Sequence, residues 1–387
     1  MSFWPAPPPP PTGLARYRQL SPKAGVHVSP IQLGAMSIGD KWADTGFGAM
    51  DKESSFKLLD AYYEKGGNFI DTANMYQNGS SEEFIGEWME QKKNRDQLVI
   101  ATKYTGNVHM NDPSISHKVT FMGNSTKSLH ISLEASLKRL RTTYVDILYL
   151  HVWDWATSIE EVMNALHAVV MAGKVLYLGI SDTPAWIVAQ ANQYARDHGK
   201  TPFSIYQGKW NVLERSFERE IIPMALAHGL ALAPWDVLCT GKLRSDEEDE
   251  RRRKTGENGR SAFGSWERTE EHIKMSRVLQ EIGKELGTEH VSAVAIAYVM
   301  QKTPYVFPII GGRKVEHLSA NLDALEISLT PEHIKRIEEV KDFDPGFPMT
   351  MVGPHDSYGG VIASSGHLEP RPFLRPIKPT PTRTKGQ

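Results

Sequence analysis

The sequence contains a single cysteine, Cys239, in 387 residues. One cysteine cannot form an intrachain disulfide, so a disulfide-stabilised secreted scaffold and a cysteine-rich metal site are both excluded. The chain also has no apolar run of the ~20 residues that span a membrane. Its first residues, MSFWPAPPPPPTG, lack the basic and apolar segments of a signal peptide. We therefore expect a cytoplasmic protein that binds no membrane.

An excess of positive charge is missing as well. The chain has 44 Lys and Arg against 46 Asp and Glu, a net charge of -2. A nucleic-acid partner is therefore not expected, because binding the phosphate backbone requires a basic surface. The hydrophobic fraction of 40% is ample for a large core. The length fits either two or three domains or one large barrel.

The chain further lacks the G-x-G-x-x-G motif that follows the first strand of many dinucleotide-binding open sheets. Its first predicted core strand runs instead into LGAMSIGDKWADTG. Eight predicted strands, nearly continuous in apolar residues, each precede a predicted helix. This alternation indicates a parallel sheet covered by helices, and eight such units close into a (β/α)₈ TIM barrel. A doubly wound open sheet is the competing fold.

The barrel is predicted to occupy residues 14–345 and to begin with a β-hairpin. Residues 1–13 are rich in proline and are expected to be disordered. Residues 346–387 form an extended C-terminal tail that is expected to lie partly over the pocket and to end in disorder. A charged insertion at residues 241–268 follows the seventh strand. We expect it to be a solvated, mobile loop whose edges lie near the active site.

Polar side chains close several of the predicted strands. Asp71 ends the second strand, Tyr76 lies in the loop behind it, Lys103 ends the third strand and His151 the fourth. Each has a structural explanation: a loop cap, an ion pair or a hydrogen-bonded core histidine. Catalytic groups of such barrels lie at the carboxyl ends of the strands. Four of them on one rim therefore favour an active site.

Longer stretches of the chain resemble a known family. GGNFIDTANMYQNGSSEEFIGEW, VIATK, VDILYLH, VLYLGISD, YQGKWN and FPIIGGRKVEHLSANLDAL occur in that order across residues 15–340. They resemble the aldo-keto reductase superfamily. Within it, DKWADTGFG, LHVWDW, APWDVL and FDPGFP resemble the fungal aryl-alcohol dehydrogenase branch, which includes norsolorinic acid reductase-type enzymes. The resemblance implies reduction of aldehydes or ketones with NADPH.

The resemblance also implies roles for the four strand-end residues. Tyr76 would give a proton to the carbonyl oxygen, and Lys103 would lower the pKa of that phenol. Asp71 would hold Lys103 charged and in place. His151 would donate a hydrogen bond to the carbonyl oxygen and orient the substrate.

Cofactor residues follow from the same resemblance. Asp182 stands where the family usually has asparagine, and an ionised carboxylate can accept but cannot donate a hydrogen bond. Trp235 would stack on the nicotinamide, although a packed core aromatic is the simpler explanation. Arg313 and Lys314 would bind the 2′-phosphate of NADPH at a helix start, although a surface basic pair would look the same. The full implied set is Ser181, Asp182 and Gln207 at the nicotinamide carboxamide, Trp235 on the ring, Asp236, Leu238, Gly241 and Lys242 beside the pyrophosphate, and Gly311, Gly312, Arg313, Lys314, His317 and Asn321 towards the adenosine end.

Large aromatic residues indicate the kind of substrate. Trp42 lies in the loop after the first strand and Trp153 in the loop after the fourth. Both are expected to line the pocket and to favour flat aromatic carbonyl or alcohol substrates, and the resemblance points to aromatic aldehydes and aryl alcohols. Trp155 is expected only to anchor its loop.

Two further hypotheses remain at this point. One is an NADP-binding regulatory or channel-associated subunit with little turnover. The other is a metal-dependent hydrolase or lyase, for which the strand ends supply only His151 and Asp71 as ligands. No metal is therefore expected. The physiological substrate, the favoured direction and the oligomeric state, including a homo-oligomer, are left open.

Overall fold

The computed structural model describes residue 4 and residues 7–257, 259–262, 264–354, 357–369 and 371–379. Residues 7–11 are exposed and belong to no helix or strand. The prediction of disorder covers residues 1–13 and the end of the tail, and of these residues 1–3, 5–6 and 380–387 lie outside the described residues. Within the described part, no helix combines the length and apolar character needed to cross a membrane.

The predicted hairpin is present at the start of the chain. Strand β1 (Arg18–Ser21) pairs antiparallel with β2 (Ala24–Val28). Leu20 and Val28 pack with residues that begin barrel strands, among them Phe69 and Val99. The hairpin therefore covers the amino end of the barrel and leaves the carboxyl end free.

Eight parallel strands form the barrel, as the sequence predicts. Their hydrogen-bonded order is β10-β3-β4-β5-β6-β7-β8-β9. An isolated parallel bridge between Leu232 and Val306 links β9 to the segment before β10 and brings the two ends of the sheet together. The strands are β3 (Gln32–Gly34), β4 (Phe69–Asp71), β5 (Val99–Tyr104), β6 (Val145–Leu150), β7 (Val175–Ser181), β8 (Phe203–Lys209), β9 (Ala231–Trp235) and β10 (Ile309–Ile310).

Most of the helices surround the barrel because they carry an apolar stripe that is buried against the sheet. Several begin at side-chain caps, such as Asp51, Ser125 and Ser158, which accept hydrogen bonds from backbone amides of the first turn. The helices are α1 (Lys52–Glu64), α2 (Ser80–Lys92), α3 (Thr126–Arg139), α4 (Ile159–Met171), α5 (Ala185–Asp197), α6 (Phe217–His228), α7 (Asp246–Thr255), α8 (Glu270–Leu286), α9 (Val291–Lys302), α10 (Val315–Leu322), α11 (Pro331–Glu338), α12 (Met349–Val352) and α13 (Gly360–Ala363).

The charged insertion is folded, so its prediction as a mobile loop is wrong for the segment that forms α7. Ser245 caps α7, whose first turn is acidic and whose last turn is basic, an order that suits the helix dipole. Arg244 is buried and forms an ion pair with Asp249 at 2.5 Å. Arg268 also contacts Asp249, at 3.6 Å. The acidic and basic blocks that resemble a solvated loop in sequence form ion pairs four residues apart once the helix forms.

The C-terminal tail contacts the outer helices. The Phe343 ring lies 5.1 Å from the Arg215 guanidinium, and Arg219 donates hydrogen bonds to the carbonyls of Asp344 and Pro345. Further along, Lys378 donates to the carbonyl of Leu329 at 2.6 Å. The tail is therefore fastened near α6 and before α11, and its expected cover over the pocket stays a prediction.

Candidate active site

A buried lysine joins three of the predicted residues at the carboxyl end of the barrel. Lys103 Nζ lies 2.5 Å from Asp71 Oδ1, 2.8 Å from the carbonyl of Thr72 and 3.3 Å from the Tyr76 hydroxyl. The Lys103 side chain is 0% exposed. Burial by itself would lower the pKa of Lys103, but the Asp71 carboxylate and Tyr76 together raise it above its ordinary value. The ammonium therefore stays charged.

Tyr76 keeps its proton more firmly than the sequence suggests. Burial raises the pKa of the phenol, and this effect exceeds the opposing one of Lys103. The expectation of a lowered pKa is therefore wrong in its net direction, although Lys103 acts with the expected sign. The phenol is protonated at neutral pH and can act as a proton donor.

The loop that carries Tyr76 is held by its neighbour Gln77. The Gln77 amide nitrogen donates to the carbonyls of Met36 and Gly48, and its oxygen accepts from the backbone amide of Trp42. Gln77 itself adopts a φ of 53°, which is uncommon for a residue with a Cβ. Three backbone groups of the loop between β3 and α1 thus hold Gln77 and, with it, the neighbouring phenol of Tyr76.

His151 lies beside Tyr76 and is uncharged. The two rings meet edge to face with centroids 5.9 Å apart. Burial lowers the pKa of His151 to about 3, and the Lys103 charge acts in the same direction. A neutral imidazole carries one N–H donor, so His151 can donate to a carbonyl oxygen without competing with Tyr76 as an acid.

Gln207 belongs to the same network. Its amide nitrogen donates to Asp71 Oδ2 at 3.0 Å, on the opposite side of the carboxylate from Lys103. The resemblance assigns Gln207 to the nicotinamide carboxamide. In the structure its amide nitrogen donates to Asp71, so Gln207 helps to fix the Asp71–Lys103 ion pair. Its role at the carboxamide stays a prediction.

Three of the implied cofactor residues meet at the ends of β7 and β9. The Asp182 carboxylate accepts a hydrogen bond from Ser181 Oγ at 3.0 Å. It also accepts from Trp235 Nε1, with distances of 3.1 and 3.2 Å to its two oxygens. Trp235 is only partly buried and is directed by this bond. This arrangement favours the interpretation that the Trp235 indole faces a ligand over the interpretation that it packs in the core.

The loop after β9 has an unusual backbone. Asp236, Cys239 and Thr240 adopt φ values of 58°, 50° and 58°. The Asp236 side chain maintains this shape by accepting hydrogen bonds from the amide and hydroxyl of Thr240, and Lys209 lies 3.5 Å from it. The Asp236 carboxylate therefore accepts hydrogen bonds within its own loop. The backbone of the loop remains available to contact a ligand.

The other three predicted residues of this loop have different environments. Leu238 packs against the core. Gly241 has open space where a Cβ would stand and a φ of 81°, so it suits the close approach of a ligand. Lys242 is partly buried beside it.

The basic residues before α10 are not equivalent. Lys314 is paired with Glu257 of the insertion at 2.9 Å. Arg313 packs against Gly48, and no carboxylate of the described residues lies within 4.0 Å of its guanidinium. Gly311 and Gly312 precede this pair, His317 packs near Gly312, and Asn321 is buried on α10. Of the two basic residues, Arg313 is therefore the one whose charge is not neutralised by a carboxylate of the described residues.

Arg260 is a site residue that the sequence did not reveal. It comes from the insertion and donates to Ser37 Oγ at 2.6 Å and to the carbonyl of Phe47 at 3.1 Å. Burial lowers the pKa of Arg260, and so does the charge of Arg313. Across the described chain, neither arginine has a carboxylate within 4.0 Å. Two neighbouring guanidinium groups without an acidic partner suit an anion such as a phosphate.

The three tryptophans near the rim are placed differently. Trp42 is 8% exposed, and its ring lies 6.3 Å from that of Tyr76. Trp153 is equally buried but packs in the hydrophobic core, so its place in the pocket stays a prediction. Trp155 is 68% exposed and its ring lies 6.3 Å from that of the exposed Trp186, so its anchoring of the loop stays a prediction.

No group of three or more His, Cys, Asp or Glu residues in the described part of the chain could hold a metal ion. The polar groups around Tyr76 instead include the Lys103–Asp71 ion pair, a neutral imidazole, the Asp182 carboxylate and two arginines without a carboxylate partner among the described residues.

The comparisons with known proteins agree with this geometry. A model of the aldo/keto reductase family matches residues 30–342. The chain belongs to this family. Its relatives include an aryl-alcohol dehydrogenase [NADP(+)] of Phanerodontia chrysosporium, which is 56% identical over 98% of this chain and 100% of that protein. Norsolorinic acid reductase A of Aspergillus parasiticus is 47% identical over 97% of this chain and 96% of its own length. The family and branch resemblance of the sequence is confirmed.

The neutral state of His151 can be tested without substrate. We expect its imidazole to remain uncharged between pH 7 and pH 5, where an unperturbed histidine with a pKa of about 6.5 would become protonated. The lowered pKa means that the proton is taken up only near pH 3. Nitrogen NMR shifts of the assigned ring would report the charge. Lys103→Met is the companion variant, in which the pKa should rise because the neighbouring cation is gone. A normal titration of His151 in the unmodified protein would contradict the assignment.

Proposed function

We propose that the protein is an NADP(H)-dependent aldo-keto reductase that reduces aldehydes or ketones to alcohols reversibly, with aromatic aldehydes as the preferred substrates. The observation that carries this proposal is the buried contact of Lys103 with both Asp71 and the Tyr76 hydroxyl. A charged lysine beside a protonated phenol is suited to giving a proton to an oxygen on which negative charge develops.

The side chains of the site have separate roles in the reduction of the carbonyl group. Tyr76 gives its proton to the carbonyl oxygen, and the fixed charge of Lys103 stabilises the phenolate that remains. His151, neutral and adjacent, donates a hydrogen bond to the same oxygen and orients the substrate. Asp71 and Gln207 keep Lys103 in position. Bound NADPH supplies the hydride that the carbonyl carbon accepts.

The residues at the rim fit such a cofactor. Arg260 and Arg313 offer two guanidinium groups without acidic partners, as a phosphate requires. Gly241 leaves room for close approach along the loop after β9. Ser181, Asp182 and Trp235 form a polar and aromatic corner that suits the nicotinamide. The aryl-alcohol dehydrogenase of P. chrysosporium, which its name ties to NADP(+), supports the same choice.

The acid role of Tyr76 is tested by Tyr76→Phe. We expect kcat/KM for aldehyde reduction to fall by about 100-fold or more, since general acid catalysis contributes at least that much. The Kd for NADPH should change little, because the hydroxyl is assigned to the substrate. Tyr63→Phe removes a phenol on α1, away from the site, and is the matched control. Near-normal turnover in Tyr76→Phe would rule out the acid role. Tight NADPH binding with no turnover of any aldehyde by the unmodified protein would favour a regulatory or channel-associated subunit.

Cofactor choice is tested at the start of α10. Arg313→Ala combined with Lys314→Ala should weaken NADPH by about tenfold or more, the value of a charged hydrogen bond, and should affect NADH much less. Arg313→Ala alone should give most of the loss, because Lys314 is already paired with Glu257. Direct measurement of Kd for both cofactors decides this, with the exposed Lys335→Ala on α11 as control. Equal affinities of the unmodified protein for NADPH and NADH would refute the assignment.

Substrate preference depends on the aromatic rim. We expect a methoxybenzaldehyde to be reduced with a higher kcat/KM than a short aliphatic aldehyde of similar reactivity, because stacking and area burial favour flat ligands. Trp42→Ala should narrow this gap, since Trp42 lies beside Tyr76. Trp153→Ala should do so too if that residue reaches the pocket. A preference for aliphatic aldehydes, or no effect of either change, would leave only the general reductase proposal standing.

A further inference from the structure

Asp182 places an acidic side chain at the rim, directly after β7. Its backbone φ of 43° lies in the left-handed region, which Asp and Asn adopt more readily than other residues with a Cβ. The residue is solvent-exposed, and its hydrogen bonds from Ser181 and Trp235 fix the direction of the carboxylate. The side chain is therefore held in one place at the mouth of the site.

The charge of this carboxylate is not neutralised by an ion pair. Both partners of Asp182 are uncharged donors, and no Lys, Arg or His nitrogen of the described residues lies within 4.0 Å of it. Lys103, the nearest candidate in the network, is committed to Asp71. Although the residue as a whole is exposed, desolvation of its carboxylate by the surrounding cleft raises the pKa of Asp182. The bonds from Trp235 and Ser181 and the charge of Lys103 oppose this rise because they favour the ionised form.

Asp182 is also close enough to the reacting groups to influence them. Its backbone amide donates to the carbonyl of Gln207 at 2.9 Å, and the Gln207 side chain donates to Asp71 Oδ2 at 3.0 Å. Its charge also adds to the effects of burial and of Asp71 in raising the pKa of Tyr76. A carbonyl that takes a proton from Tyr76 must lie within hydrogen-bond distance of that hydroxyl, about 3 Å. The carbon that gives the hydride must lie about 3–3.5 Å from the carbonyl carbon. A nicotinamide ring bound beside Ser181, Asp182 and Gln207, as the proposed function requires, would lie within the field of the Asp182 carboxylate.

The two redox forms of nicotinamide respond differently to such a field. The ring is neutral in the reduced form, and loss of the hydride leaves it positively charged. A nearby carboxylate attracts the charged ring and has little effect on the neutral one. A hydrogen bond from the carboxamide to Asp182 would, in contrast, be made in both forms.

We propose that the Asp182 carboxylate makes this protein bind the oxidised nicotinamide cofactor more tightly relative to the reduced one, and so favours aldehyde reduction within the bound complex. This inference rests on the proposed function. In the step concerned, the carbonyl carbon gains a hydride from the reduced cofactor and the oxygen gains a proton from Tyr76. The aldehyde is reduced to an alcohol and the cofactor is oxidised. The equilibrium in free solution is unaffected, because only the bound states differ in energy.

Asp182→Asn tests the proposal, because it removes the charge while keeping the size and the tolerance for this backbone conformation. The Kd values of NADP+ and NADPH are measured separately on the full chain at pH 8 without substrate, by calorimetry and by cofactor fluorescence. We expect the preference for NADP+ over NADPH to fall by about tenfold in the Asn variant, or about 1.4 kcal/mol. Changes in hydrogen bonding to the carboxamide affect both Kd values and largely cancel in the ratio.

Two further variants give the comparison its controls. Asp182→Glu keeps the charge and should keep most of the preference. Asp197→Asn, at the distal end of α5, should leave the ratio unchanged. An unaltered ratio in Asp182→Asn, with NADP+ and NADPH either both weakened equally or both unaffected, would overturn the charge role and leave the reductase proposal intact. Failure of the unmodified protein to bind either form would overturn both.

Discussion

The arrangement at the mouth of the barrel depends on one buried cation, Lys103. Removing an ammonium from water is costly, so the charge persists only because Asp71 contacts it at 2.5 Å and the Thr72 carbonyl and Tyr76 hydroxyl complete its shell. Leaving either charge of such a pair alone costs about 3–5 kcal/mol. The same cation fixes Tyr76 beside it and adds to the effect of burial in keeping His151 uncharged.

Charge is distributed unevenly around this centre. Arg260 and Arg313 supply unpaired positive charge on one side, where the insertion and the residues after β10 meet the loop after β3. Asp182 supplies negative charge at another part of the rim, at the ends of β7 and β9. A ligand with phosphates at one end and a ring that becomes cationic at the other matches this polarity. The two ends can therefore contribute separately, one to affinity and the other to the balance between redox forms.

Long-range contacts between segments distant in sequence hold the site together. Arg260 reaches Phe47 across 213 residues, and Gln207 reaches Asp71 across 136. The insertion is ordered by its own buried ion pair, Arg244 with Asp249, and can therefore present Arg260 in a defined position. Loops that would be mobile alone thus form a rigid rim because each is fastened to another strand or loop.

The sequence by itself determined the barrel and the grouping of the predicted catalytic residues at one end of it. The alternation of apolar strands with helices fixes which ends of the strands share a face, so Asp71, Lys103 and His151 could be placed together before any coordinates. Other features were decided only by the tertiary structure, because they depend on burial and on partners far along the chain. These are the folded insertion, the role of Arg260, the pairing of Lys314 with Glu257, the bond from Gln207 to Asp71 and the raised pKa of Tyr76. The local sequence pattern shows which residues are polar. The desolvation of a charged group and its ion pairs depend on the three-dimensional environment of that group.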